Sequence, residues 1–278
     1  MRSASSLPGV KSIRALERGL DVLQAVQTRP GARLKDLHEI TGLPKATLLR
    51  VLRTLTERNL VWQRMADGAY LPSSRGRGPA RLDDAGRLVE AASPVMARLC
   101  ERVNWPSVLA VPREGRMEVI ETNRPRSHVP HLPIGPVGAR VNMLLTSIGR
   151  AYFGFCSQEE REEIVRRLRL SDEAGDAFAR DPAWLARLVA QTQAQGYGRR
   201  DPLFAGDPRG EGRFPDDGRN SISVPIIVSG QVIAALNLTW TRRAASVTQI
   251  VADHLGDLRA AAAEIAARLE PAGEHGTA

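Results

Sequence analysis

The 278-residue sequence has only two cysteines, Cys100 and Cys156, far apart in the chain. That scarcity argues against a disulfide framework or a zinc site, and it makes the reducing cytoplasm the expected location. No run of about 18 apolar residues occurs, so no membrane span is expected. The start, MRSASSLPGV, lacks the apolar stretch of a signal peptide. There is no GxSxG, no Walker A loop and no HExxH. The histidines, His38, His128, His131, His254 and His275, are scattered. His128 and His131 are close, but neither has a cysteine or carboxylate nearby at metal spacing. Neither cysteine has a candidate base beside it. An enzyme is therefore disfavoured, and no cofactor or metal is expected.

What is present is a lopsided charge. The net charge is +8. Residues 1–81 hold 15 Lys and Arg against 6 Asp and Glu, whereas the remainder holds 24 against 25. The whole basic excess thus lies in the first third, as expected of a footprint for a polyanion. A basic tail, Met1 to Lys11, accounts for only part of it. The length suits two domains.

The segment Leu34 to Arg53, LKDLHEITGLPKATLLRVLR, lies within that basic third. It reads as a short helix, a glycine turn and a second helix. Leu37 and Ile40 supply apolar positions of the first helix. Gly42 falls where a left-handed residue ends a helix, and Pro44 at the expected first position of the next. Leu48, Leu52 and Leu55 share one face of that second helix. Lys45, Thr47, Arg50 and Arg53 point elsewhere and can bond phosphates or base edges. Lys45, Thr47 and Arg50, nearest the helix start, are the expected base readers. Upstream, Leu16, Leu20, Leu23 and Val26 repeat at helical spacing and are expected to close the core. Downstream, LVWQRM and AYLP form a hairpin across Asp67-Gly68, a wing on which Arg64 can touch phosphate. The alternative is an ordinary three-helix unit with solvated basic faces; the charge asymmetry favours DNA.

SSRGRGPAR, Ser73 to Arg81, marks a linker. Asp83 can cap the next helix, whose stripe is Leu88, Ala92, Val95, Leu99 and Val103. Pro94 is expected to kink it or end its first half. That stripe suits either a dimer contact or packing on its own domain. Beyond it, PSVLAV and RMEVIE read as strands around Glu114-Gly115. Helices are expected near Ser147 to Phe155, Gln158 to Leu168 and Pro182 to Gln195. Strands follow at Ser221 to Val228 and Val232 to Trp240, joined across Ser229-Gly230, and a last helix runs from Thr248 to Leu269. Short turns between strands imply an antiparallel sheet with helices packed on it, an α+β arrangement. In the last two strands apolar residues alternate with Ser221, Ser223, Asn237 and Thr239. Thr146-Ser147-Ile148-Gly149 reads as a helix start capped by Ser147, whose free N–H groups attract an anion. The competing reading is a solvent-facing polar strand beside an ordinary capped helix.

Together, RALERGLDVLQAV, LKDLHEITGLPKATLLRVLRTL, QGYGRRD, RNSISVPI and VIAALNLTW resemble the IclR family of bacterial transcription regulators, from Ser12 to about Leu269. The resemblance implies an N-terminal winged helix-turn-helix over 12–75, a linker and linker helix over 76–104, and a GAF-like α/β effector-binding domain over 105–270. Tails at 1–11 and 271–278 complete the expected organisation. ERVNWPSVLAV, QGYG and SISVP…VIAALNLTW suggest the MhpR-like branch, which regulates phenylpropionate and hydroxyphenylpropionate catabolism. Carried over by position, the family's effector site falls on Thr146, Ser147, Ile148, Gly149, Asp201, Ser221, Asn237 and Thr239. Members that bind small keto acids tend to carry Cys or Ser in these strands, so Asn237 and Thr239 disfavour glyoxylate or pyruvate. Pro202 to Gly218 is longer and richer in Gly, Pro and Asp than the family pattern. The implied partners are a pseudo-palindromic operator duplex, a small organic or aromatic acid, and further copies in a homodimer or homotetramer. RNA polymerase joins them if the protein is an activator, and no membrane is involved. The alternatives are a repressor of a keto-acid pathway, an enzyme with an accessory winged helix, or an RNA- or protein-binding module.

Overall fold

The computed structural model describes residues 13–73, 84–125, 135–204 and 217–270. The two tails, most of the Ser73–Arg81 linker, the Asp83 cap, His128, His131 and most of the Pro202–Gly218 insertion lie outside the described residues. The chain forms two compact units, Met1–Arg81 and Leu82–Ala278. Among the described residues no helix is long and apolar enough to cross a membrane.

The first unit is built from α1 (Arg14–Thr28), α2 (Leu34–Thr41) and α3 (Lys45–Glu57), followed by β1 (Val61–Gln63) and β2 (Tyr70–Pro72). Its core joins Val22, Ala25 and Val26 of α1 to Leu37, Leu48, Leu52, Leu55, Val61 and Tyr70. This corrects the sequence reading of α1. Leu16 and Leu20 are 58% and 55% exposed, and Leu23 is only partly buried against the core. Two apolar stripes run along α1, and the one through Val22 and Val26 faces the other helices. Ile40 is likewise corrected, being 46% exposed while Leu37 is fully buried.

The turn between α2 and α3 is tied at several points. Gly42 has φ 66°, the left-handed conformation that a side chain disfavours, and its N–H donates to the His38 carbonyl at 2.9 Å. The Nδ1 of His38 donates to the Leu43 carbonyl at 2.7 Å, and the Thr41 hydroxyl donates to the Leu37 carbonyl at 2.7 Å. Pro44 is the N-cap, one residue before the helix, its carbonyl accepting from Leu48 N. The wing is closed by Arg64 N donating to Ala69 O at 2.8 Å, and Ala32 makes a single antiparallel bridge to Tyr70.

The second unit opens with α4 (Asp84–Val103), then β3 (Ser107–Arg113), β4 (Arg116–Asn123) and β5 (Arg140–Asn142). It continues with α5 (Ser147–Phe155), α6 (Gln158–Arg169), a 3-10 helix (Ala174–Arg180) and α7 (Pro182–Gln195). It ends with β6 (Gly198–Arg199), β7 (Arg219–Val228), β8 (Gln231–Thr241) and α8 (Val247–Leu269). Among the described residues the strands form one antiparallel sheet in the order β5-β4-β3-β8-β7-β6. The hairpins turn at Glu114-Gly115 and Ser229-Gly230, all four residues having positive φ.

Helices α5, α6 and α7 cover one face of the sheet, and α4 and α8 the other. Leu88, Ala92, Val95, Leu99 and Val103 of α4 are all buried, so this stripe packs within its own unit. Ion pairs Arg98–Glu264 at 2.6 Å and Arg102–Asp257 at 3.0 Å fasten α4 to α8. Of the two outcomes expected of Pro94, a kink or an end to the first half of the helix, the second does not occur, since α4 runs on through it. The proline stands on the helix's exposed side, where water can take the place of the hydrogen bond its ring removes.

Among the described residues one edge of the sheet is only partly covered. β6 pairs with Ile222 and Ser223 of β7, and Arg200 N donates to Ser221 O beyond it. Alternate residues of a strand send both main-chain groups to the same side. Ser221, Ser223 and Pro225 therefore face this edge, and Pro225 has no N–H to offer there.

Candidate DNA-binding and effector sites

The outer face of α3 follows from its inner one. Leu48, Leu52 and Leu55 are buried, which turns Lys45, Ala46, Leu49, Arg50 and Arg53 to solvent. Thr47 lies half-buried at the margin. Among the described residues neither Lys45 nor Arg50 makes an ion pair, so their charge is available to an incoming anion. Arg53 donates from Nε to Glu57 at 2.9 Å, one turn along the helix. That pair is highly exposed and contributes little to stability.

Arg64 is used differently from the sequence expectation. Its guanidinium grips Asp67 through two bonds of 2.9 and 2.7 Å, closing the wing turn. The hydrogen bond from Arg64, opposed by partial burial, holds the Asp67 carboxyl below its ordinary range. The sequence signal missed was the i,i+3 spacing of the two charges across the hairpin.

In the second unit the residues expected to bind an effector converge around the start of α5. The cap is Thr146, not Ser147: the Thr146 hydroxyl accepts from Gly149 N at 3.0 Å. Both residues are capable caps, and Thr146 takes the role because Ser147 turns its hydroxyl to the sheet. There it lies 2.7 Å from the Ser221 hydroxyl and accepts from Ser223 at 2.8 Å. Ser221 pairs with Thr239 across the strands, and Ser223 with Asn237. Asn237 completes the row, donating to the Thr239 hydroxyl at 3.1 Å and accepting from Val108 N at 2.7 Å. All five side chains are buried, with relative exposure of 6% or less. The polar strand face is thus covered by α5 rather than solvated. Ile148 packs into the apolar cluster and Gly149 admits the Met143 carbonyl, so their side chains offer nothing polar to a ligand.

Asp201 is brought beside this group by the chain and by charge. Its N–H donates to the Leu145 carbonyl at 2.9 Å, and its carboxylate pairs with Arg150. Arg150 also donates to the Leu144 carbonyl at 2.7 Å. Burial pulls the Arg150 pKa below its ordinary value, opposed by the Asp201 charge. Its sequence signal was a lone charge in the otherwise apolar stretch SIGRAYFGF.

A buried network fixes the turn that leads into α5. Arg116 pairs with Asp176 at 2.7 Å and with Glu173 at 2.5 Å. Asp176 accepts from Asn142 Nδ2 at 2.7 Å, and Asn142 Oδ1 accepts from Leu144 N and Leu145 N, each at 2.9 Å. Behind the helix, β6 approaches closely at Gly198, where a Cβ would come within 2.3 Å of the Ser147 carbonyl. Sequence reasoning missed Asn142, Arg150, Asp176 and Ser223. Of these Arg150 and Ser223 had visible cues, the lone charge and the S-x-S alternation, whereas Asn142 and Asp176 had none. Cys100 and Cys156 are buried apart from this site, and burial pushes each thiol up to about 11.

A cleft of about 410 Å³ lies elsewhere, lined by Val224, Pro225, Ile227, Arg259, Ala262 and Ala266 among others. It includes none of the residues expected to bind an effector.

Known proteins resemble the chain in its first unit and over most of its length. Residues 15–64 match the IclR helix-turn-helix domain. The chain is 26% identical over 230 residues to the HTH-type transcriptional regulator BhcR of Paracoccus denitrificans, covering 82% of this chain and 77% of that protein. An IclR homologue from Microbacterium hydrocarbonoxydans, solved in complex with 4-hydroxybenzoate, is similar over 92% of this chain and 98% of its own, with 26% identity and a TM-score of 0.50. Pseudomonas aeruginosa HmgR shares the fold at 22% identity and a TM-score of 0.53, covering 94% of this chain and all of that one.

Proposed function

We propose that this chain, a ligand-responsive transcriptional regulator of the IclR family and not an enzyme, controls a catabolic operon in response to a small aromatic or other organic acid. The observation that carries the effector assignment is the polar row Ser147, Ser221, Ser223, Asn237 and Thr239, buried between α5 and the sheet. An acid bound there would exchange these internal hydrogen bonds for its own, with α5's first-turn N–H groups favouring its negative charge. The Microbacterium homologue's 4-hydroxybenzoate supports an aromatic acid, in keeping with the MhpR-like branch.

In this reading the duplex is a pseudo-palindromic operator, bound by Lys45, Thr47, Arg50 and Arg53 from each of two copies. Arg64 steadies the wing through its pair with Asp67. Two copies or four assemble, and RNA polymerase is the further partner if regulation is positive. The exposed stripe of Leu16 and Leu20 of α1, with Ile13 at its N-cap, supports assembly, being an apolar strip that a second copy would cover. Ligand and operator must favour different arrangements of the protein, with a coupling typically worth about 1–3 kcal/mol.

Arg50→Ala is expected to weaken specific operator binding by roughly 1–3 kcal/mol, measured by fluorescence anisotropy at fixed salt. Unchanged affinity would take Arg50 off the contact list. Asn237→Ala or Thr239→Ala is expected to blunt operator release by 4-hydroxybenzoate or phenylpropionate while basal DNA affinity stays at wild type. A full response in both variants would place the effector elsewhere. A response of the native protein to glyoxylate or pyruvate, with none to aromatic acids, would overturn the aromatic assignment.

A further inference from the structure

The outer face of α3 is not uniformly polar. Leu49 stands on it with 49% of its surface exposed, although Leu48, Leu52 and Leu55 of the same helix are buried. Ala46 is exposed one turn before it, and Lys45, Arg50 and Arg53 surround the pair. Residues three and four apart on a helix are neighbours, so Ala46, Leu49, Arg50 and Arg53 form one patch. A leucine here contributes nothing to the core and remains in water when the protein is free. Its neighbours draw in a polyanion, so whatever covers it must itself be anionic while offering an apolar group at the contact.

Duplex DNA has such a group. In the major groove each base pair presents a distinct set of donors and acceptors, and thymine alone adds a C5-methyl. We propose that Leu49, with Ala46 beside it, reads thymine C5-methyl groups in the operator, next to the base contacted by Arg50. Leu49 is then a specificity-determining residue: it adds selection for the thymine methyl to the base contact of Arg50 and to the charge that the cations offer any duplex. The inference rests on the DNA-binding reading of α3 and adds the chemistry it discriminates.

The test uses the full chain and duplexes it selects from a random-sequence pool. Each thymine of the best duplex is replaced singly by deoxyuridine, which deletes the methyl and leaves every hydrogen-bonding group in place. One or two positions per half-site should lose about three- to fivefold in affinity, the size expected for one buried methyl. Leu49→Ser should bind thymine and deoxyuridine duplexes equally, and Leu49→Met should restore the discrimination. Because Leu49 is outside the core, neither variant should alter the unfolding temperature. Tight, salt-dependent binding with no sensitivity to any methyl would overturn the proposal and leave the DNA-binding reading standing. Equal methyl sensitivity in Leu49→Ser would assign the methyl to another residue and also overturn it. A change in the oligomeric mass of Leu49→Ser would show the leucine to be a protein contact instead. Failure to enrich any duplex would remove the DNA-binding reading and this proposal together.

Discussion

Asp176→Ala is expected to destabilise the second unit by about 3–5 kcal/mol, the cost of removing one partner from a buried ion pair. The Asp176 side chain is fully buried, and Arg116 beside it is 16% exposed. Glu173 remains as a second partner for Arg116, but it is half exposed and bonds nothing on Asn142. The alanine would therefore leave a buried amide without its acceptor and a guanidinium with one ligand fewer. Asp176→Asn can keep the amide contact and lose only the charge, so it should fall between wild type and alanine. Urea unfolding followed by circular dichroism measures both. The functional consequence is separable at low denaturant. Asn142 holds the N–H groups of Leu144 and Leu145, and its carbonyl accepts from the Thr146 hydroxyl at 2.7 Å. Loosening Asn142 should weaken effector response while operator binding persists. A wild-type midpoint for Asp176→Ala would mean that Glu173 alone satisfies Arg116.

Trp240→Ala should cost a similar amount, about 3–5 kcal/mol, as expected for emptying a large aromatic site in a packed core. Trp240 has no exposed surface, and its indole N–H donates to the Ala245 carbonyl at 2.9 Å. The ring thus fills the layer beneath α8 and also fixes the turn that starts it. One residue further on, the Ser246 hydroxyl caps α8 by accepting from Gln249 N at 3.1 Å. Trp240→Phe keeps most of the volume and loses the indole bond, so roughly 1–2 kcal/mol is expected. Differential scanning calorimetry of the three proteins would show the order. Equal midpoints for wild type and Trp240→Ala would mean that neighbouring side chains collapse into the space.

The parts of the fold that were legible in the sequence are those where one local rule dominates. Helices α5, α6, α7 and α8 lie within one residue of their expected bounds because apolar periodicity and a cap agree at each start. β7 and β8 were visible through alternation and the Ser229-Gly230 turn. β5 and β6 were not, because strands of three and two residues carry no period; they exist only because β4 and β7 offer them an edge. The stripe on α1 misled for a different reason. Two apolar lines run along that helix, and only tertiary packing chooses between them.

The sites divide in the same way. Polar residue types at the head of α5 and on β7 and β8 pointed to one locality, and the structure brings Ser147, Ser221, Asn237 and Thr239 together. What could not be read was how each group is already engaged. Arg150 meets Asp201 across 51 positions, and Arg116 meets Asp176 across 60; no spacing rule reaches so far. Thr146 and Ser147 are equally good caps by type, and the sheet behind them decides.

Pro225 has a consequence beyond its own strand. A bare margin of hydrogen-bonding main chain is an invitation to open-ended stacking of molecules, rung upon rung. Here the row is interrupted by a residue that has nothing to donate. Strand-to-strand growth along that border is thereby discouraged.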